Sequence, residues 1–171
     1  TMSSNVKAAL IGLVVIALAI AALLLFVRDR NDANAVNSHL LTVANQVSPR
    51  LQRPGGGWAA APSFKEKYRQ FAAREQVIIE RPERGMSKHQ FLQIQLVPRQ
   101  GAAPAVLLTS RRGTRVIVNA LDVLLAVTTR QPRYAQVQQS GAVYQVVLKP
   151  LVLPEPFRRQ NVTAVLEVVQ G

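Results

Sequence analysis

The hydrophobic pattern divides the chain at its first long run. From Ala8 to Val27 the residues read AALIGLVVIALAIAALLLFV, with no charge and one glycine. A helix rises about 1.5 Å per residue, so this run covers roughly 30 Å, the hydrocarbon thickness of a bilayer. It is apolar on every face, as a membrane span is and a surface helix is not. The competing reading is a cleaved signal peptide. That would have an apolar core of about 7–15 residues followed by small residues, whereas here large residues, Leu23 to Val27, and then Arg28 close the run. The pattern predicts a transmembrane anchor over 8–27 behind a short polar tail over 1–7.

The period then changes. Val36, Leu40, Val43 and Val47 recur at helical spacing, with Leu41 and Ala44 widening the stripe. An amphipathic juxtamembrane helix is predicted over 28–48, stopped by Pro49. Its stripe either meets partner helices as a stalk or short coiled-coil seam, or folds back on its own domain. Residues 49–62, PRLQRPGGGWAAAP, read as a Pro/Gly linker. Trp58 in this linker packs on the domain or sits at the membrane interface near Arg50 and Arg53.

From residue 63 the chain reads as a basic β-rich domain running to residue 171. Ser63-Phe-Lys-Glu66 matches a capping box, opening a helix to about Glu75 with Phe64, Tyr68, Phe71 and Ala72 on its apolar face. Strands are predicted at Gln76–Glu80 and at Gln90–Val97, where Leu92, Ile94 and Leu96 alternate with Gln93 and Gln95. A hairpin is predicted from Ala105–Thr109 and Thr114–Val118 around Ser110-Arg111-Arg112-Gly113. Residues 119–129 combine strand-prone valines and threonines with Asn119 at a capping position, and a short helix is preferred. A second hairpin joins Tyr134–Gln139 to Ala142–Leu148 through Ser140-Gly141, and Asn161–Val169 forms the last strand. Leu151 to Leu153, between two prolines, is an edge or a bend. The expected class is α+β: the anchor continuing into its juxtamembrane helix, then one or two helices with about six or seven antiparallel strands. Such strand spacing suits a sandwich, a small barrel, or a sheet with a helix packed on it.

Charge narrows the partners. The 171 residues carry 21 Lys and Arg against 9 Asp and Glu, a net +12. Lys7 alone lies before the anchor, so the positive excess belongs to the domain side. A surface of this sign attracts acidic protein partners or anionic lipid. Nucleic acid is disfavoured, because no nucleic-acid fold signature is present. Arg111, Arg112 and Arg115 form the densest cluster. Lys7 against Arg28 and Arg30 favours a cytoplasmic domain by one charge, but long domains translocate largely regardless of flanking charge. The general habit of N-terminal signal anchors sets the expectation of an extracytoplasmic domain.

The motifs that carry chemistry are absent. There is no cysteine, which excludes disulfides, thiolate metal sites and a cysteine nucleophile. His39 and His89 lie in different segments, and Asp122 and six scattered glutamates are the only acids after residue 32. No G-x-S-x-G, H-E-x-x-H, dinucleotide fingerprint or calcium loop occurs, and Gly55–Gly57 is not followed by the Lys-Ser/Thr of a phosphate loop. No enzymatic activity, cofactor or metal is expected. The expected function is a non-catalytic single-pass subunit or assembly factor of a membrane complex, its partners being the bilayer and other subunits. The interaction candidates are Val36, Leu40, Val43, Val47, Trp58, Arg111, Arg112 and Arg115. The alternatives are a filament subunit of pilin-like layout, which Lys7 fits poorly, and a cytoplasmic-side basic domain on anionic lipid or nucleic acid.

Overall fold

A computed structural model describes residues 3–171; Thr1 and Met2 of the expected polar tail lie outside the described residues. The apolar run and the segment that follows it form one continuous helix, α1, from Ser4 to Leu51. The Ser3 hydroxyl caps it by accepting from the Val6 N–H at 3.3 Å. Pro49 does not stop the helix at residue 48. It sits in the last turn, and α1 ends two residues later. The chain divides into two compact units, one up to Val36 and the other Asn37–Gly171. The first unit is helical from Ser4, and every side chain from Ala8 to Val27 is exposed. It contains a window of mean hydropathy 3.2, apolar enough and on a helix long enough to cross a membrane.

The second unit holds a single open antiparallel sheet. Its strands are β1 (Gln90–Val97), β2 (Val106–Thr109), β3 (Arg133–Gln139), β4 (Ala142–Leu151) and β5 (Thr163–Gln170), in the order β2-β1-β5-β4-β3. Five strands replace the expected six or seven. Neither a second sheet nor closure into a barrel exists among the described residues. Alternation sends Phe91, Gln93, Val165, Glu167, Val146 and Leu148 to one face, and Leu92, Ile94, Leu96, Leu166, Val168 and Val147 to the other. The first face packs under the helix α3 (Ala120–Thr129), whose Ala126 joins Phe91, Val146, Val165 and Val169 in a buried cluster. On the second face Lys149 bonds Asn45 of α1, and the helix α2 (Phe64–Glu80) adds the buried Phe71 and Ile79. β5, central and covered on both sides, is buried from Ala164 to Val169. Each fully buried aliphatic side chain contributes about 2–3 kcal/mol.

Local chemistry explains the boundaries. Asn119 caps α3 by accepting from the Leu121 N–H at 2.9 Å. Ser140 and Gly141, at φ 52° and 77°, form the two-residue turn of the β3–β4 hairpin. Pro150 is tolerated within β4 because β3 has ended by Leu148, so its missing N–H falls where no third strand pairs. Ser63 caps α2, accepting from the Glu66 N–H at 3.2 Å. Glu66 does not close the box; it pairs with Arg69 at 2.5 Å instead.

Two expected strands are corrected. Gln76–Glu80 is the last part of α2, because Ile79 extends the buried stripe of Tyr68, Phe71, Ala72 and Glu75. Thr114–Val118 does not pair with β2, and the first hairpin does not form. The segment lies outside the sheet, and glutamine side chains bond the backbone of Arg115, Val116 and Ile117. Gln93 accepts from the Val116 N–H at 2.8 Å and donates to the Val116 carbonyl at 3.0 Å. Gln139 accepts from Ile117 at 2.9 Å and donates to Arg115 at 2.7 Å from the other side. Two amide side chains stand in for neighbouring strands, so the backbone pays no desolvation penalty.

Candidate docking surfaces

The stripe on α1 is spent largely within the chain. Leu40, Val43 and Val47 are fully buried in the domain core, together with Ala44 and Leu51, while Val36 is half-buried. In this structure Leu40, Val43 and Val47 offer no seam to a partner helix.

Trp58 lies in a short 3-10 turn, Gly57–Ala60, reached through Gly55 and Gly56, whose φ values of 84° and 101° suit glycine. Its ring is buried, 5.7 Å edge-on from Phe71 and 5.0 Å from Phe157. It is therefore a core residue. Arg74 crosses this aromatic cluster, 5.7 Å from Trp58 and 5.1 Å from Phe71, and donates to the Gly55 carbonyl at 3.2 Å. The expected linker is thereby tied to α2.

The arginine cluster separates into two kinds. Arg111 lies over the Phe91 ring at 4.6 Å and donates to the Lys88 carbonyl at 2.5 Å, which fixes it to the domain. Arg112 and Arg115 are exposed. The outward side of α3 is apolar: Leu121 is 58% and Leu124 56% exposed, and Ile117, just before the helix in the chain, is 64% exposed. Asp122 of α3 is paired with Arg133 at 2.6 Å. In the chain, Arg112 and Arg115 precede these apolar residues and Arg130 follows them.

Two buried acids escaped the sequence reading. Glu167 accepts from Gln93 and Gln95, each at 3.2 Å, and its carboxyl is pushed up to about 7 by burial, against the opposing pull of those amides. Glu75 is pushed up to about 7 by burial as well, though Arg74 donates to it at 2.8 Å. The signal for Glu167 was its place in the alternation: it shares a sheet face with Gln93 and Gln95. Perturbed carboxyls mark active sites when they line a cleft. These two are almost completely covered, and neither lines any of three grooves on the domain.

Those grooves are open and shallow. One of about 420 Å³ lies between the end of α3 and the β4–β5 connection, with Arg130 and Arg158 on its lining. A second, about 490 Å³, separates the start of α2 from the Gly101–Val106 segment. The third, about 290 Å³, lies along residues 79–90. Among the described residues no group of three His, Asp or Glu side chains is placed to hold a metal ion. No protein-family model matches the chain, and neither a curated protein nor a solved structure matches it.

Proposed function

We propose that this chain is a non-catalytic, single-pass membrane subunit or assembly factor whose β-rich domain docks on partner proteins on the extracytoplasmic side. One observation carries the reading. Every side chain from Ala8 to Val27 is exposed. An apolar surface of that extent has to be covered by something else, and its length fits a bilayer. The cationic domain supplies the second half: with Leu40, Val43, Val47 and Trp58 inside, exposed Ile117, Leu121 and Leu124, in a stretch of chain that also carries Arg112, Arg115 and Arg130, are the apolar groups suited to a partner that brings carboxylates. The same stretch favours a second reading, a cytoplasmic-side domain resting on anionic lipid.

Extraction of native membranes in a mild detergent, followed by sizing, tests the proposal. The chain is expected within an assembly several times larger than its own 18.7 kDa plus a micelle. Migration as a lone monomer would contradict it.

A further inference from the structure

The sheet has two outer strands, and they are not equally available. β2 is four residues long, Gln76 of α2 donates to its Thr109 carbonyl at 2.9 Å, and Tyr68 donates to the Pro104 carbonyl just before it at 3.1 Å. That edge is partly closed by α2. β3 spans seven residues, pairs only with β4, and keeps an unbroken register without a bulge.

The hairpin turn fixes which groups face out. Gln139 and Ala142 flank the two-residue turn and form a hydrogen-bonded pair. Bonded pairs alternate from there, so Tyr134, Gln136 and Gln138 turn their N–H and C=O groups away from β4. All three residues are exposed, Tyr134 to 47%. Proteins commonly guard such an edge with lysine, proline or a bulge. None of these lies between Tyr134 and Gln139, and no residue from Tyr134 to Leu148 carries a charge, in a chain of net +12.

We infer that the outer edge of β3 is an augmentation site for one extended, uncharged segment of a partner protein that is acidic elsewhere. The inference rests on the subunit reading above and names how the partner is held. An uncharged edge accepts an uncharged strand without burying an unpaired ion. The basic body around it attracts an acidic partner and repels a second copy of itself. Recognition runs through backbone groups at Tyr134, Gln136 and Gln138, with Tyr134 supplying side-chain contact.

The test uses the assembly extracted in mild detergent and compares it with the isolated full chain. Amide exchange at Tyr134, Gln136 and Gln138 is expected to slow about 100-fold in the assembly, while Arg81–His89 is unchanged. Gln136→Pro removes one outward N–H and leaves the β3–β4 bonds intact. It is expected to weaken retention in the assembly about tenfold or more, whereas Gln136→Ala retains it. An assembly in which these amides stay unprotected, or which holds Gln136→Pro as well as the parent, overturns the edge site and leaves the subunit reading standing. Protection arising from a homodimer alone also overturns it. Absence of any assembly overturns both.

Discussion

Replacing Phe157 with alanine is expected to remove about 4 kcal/mol of folding stability from the domain. Phe157 lies between β4 and β5, is fully buried, and sits 4.4 Å from Phe71, 5.0 Å from Trp58 and 6.1 Å from Phe64. It fills the centre of the cluster that joins the 55–60 segment to α2. Truncation leaves a cavity lined by three rings that cannot all move inward, so the transfer and cavity losses add. A domain of this size has about 5–15 kcal/mol in total, so a quarter or more of its margin would go. The measurement is the denaturant midpoint of the detergent-solubilised chain. Phe26→Ala, on the exposed apolar part of α1, is expected to leave that midpoint unchanged. A loss below about 1 kcal/mol for Phe157→Ala would contradict the cluster's central role.

Stability is also expected to fall as the pH rises through the mildly acidic range. Glu167 has its carboxyl raised from 4.5 to about 7 in the folded chain, so folding favours the protonated form. That contribution is complete below about pH 4.5 and is lost as the pH climbs through about 7. A shift of this size corresponds to about 3 kcal/mol. Glu75 is shifted in the same direction and adds to the slope. Glu66, lowered to about 2 by its hydrogen bonds to Arg69 and Gln70, acts in the opposite sense and only in more acidic solution. Glu167→Gln keeps the size and the acceptor oxygen while removing the titration. It is expected to flatten part of the slope between pH 4.5 and 7, gaining stability at pH 8 and little at pH 4. An unaltered slope in the variant, or parent stability rising across that window, would contradict the assignment.

The parts legible in sequence were those whose cause is local. Leu92, Ile94 and Leu96 of β1 alternate with Gln93 and Gln95, Ser140-Gly141 sets a two-residue turn, and Ser63 and Asn119 announce helix starts with a side-chain oxygen. Tertiary context decided the others. Val77, Ile78 and Ile79 favour a strand by propensity, yet Ile79 prolongs a buried helical stripe, and that burial outweighs the preference. Thr114–Val118 has strand-like residues. Its hydrogen bonds go to the side chains of Gln93 and Gln139, more than twenty positions away in each direction, and no local pattern encodes that pairing. Arg111 reads as free charge in sequence, and only the fold brings the Phe91 ring and the Lys88 carbonyl to it. Of the interaction candidates, Leu40, Val43, Val47 and Trp58 carried the hydrophobic signal correctly and lie inside the domain. The exposure of Ile117, Leu121 and Leu124 went unread because these residues belong to two segments.

Trypsin digestion of sealed membrane vesicles of both orientations tests the central claim most directly, that a membrane-crossing helix holds this domain outside the cytoplasm. Exposed Arg84 and Lys88 of the 81–89 loop offer cleavage sites. In right-side-out vesicles the chain is expected to be split at this loop while the apolar segment stays with the membrane, and in inside-out vesicles it is expected to survive intact. Cleavage confined to inside-out vesicles would put the domain in the cytoplasm, and release of the uncut chain into the supernatant would remove the anchor altogether.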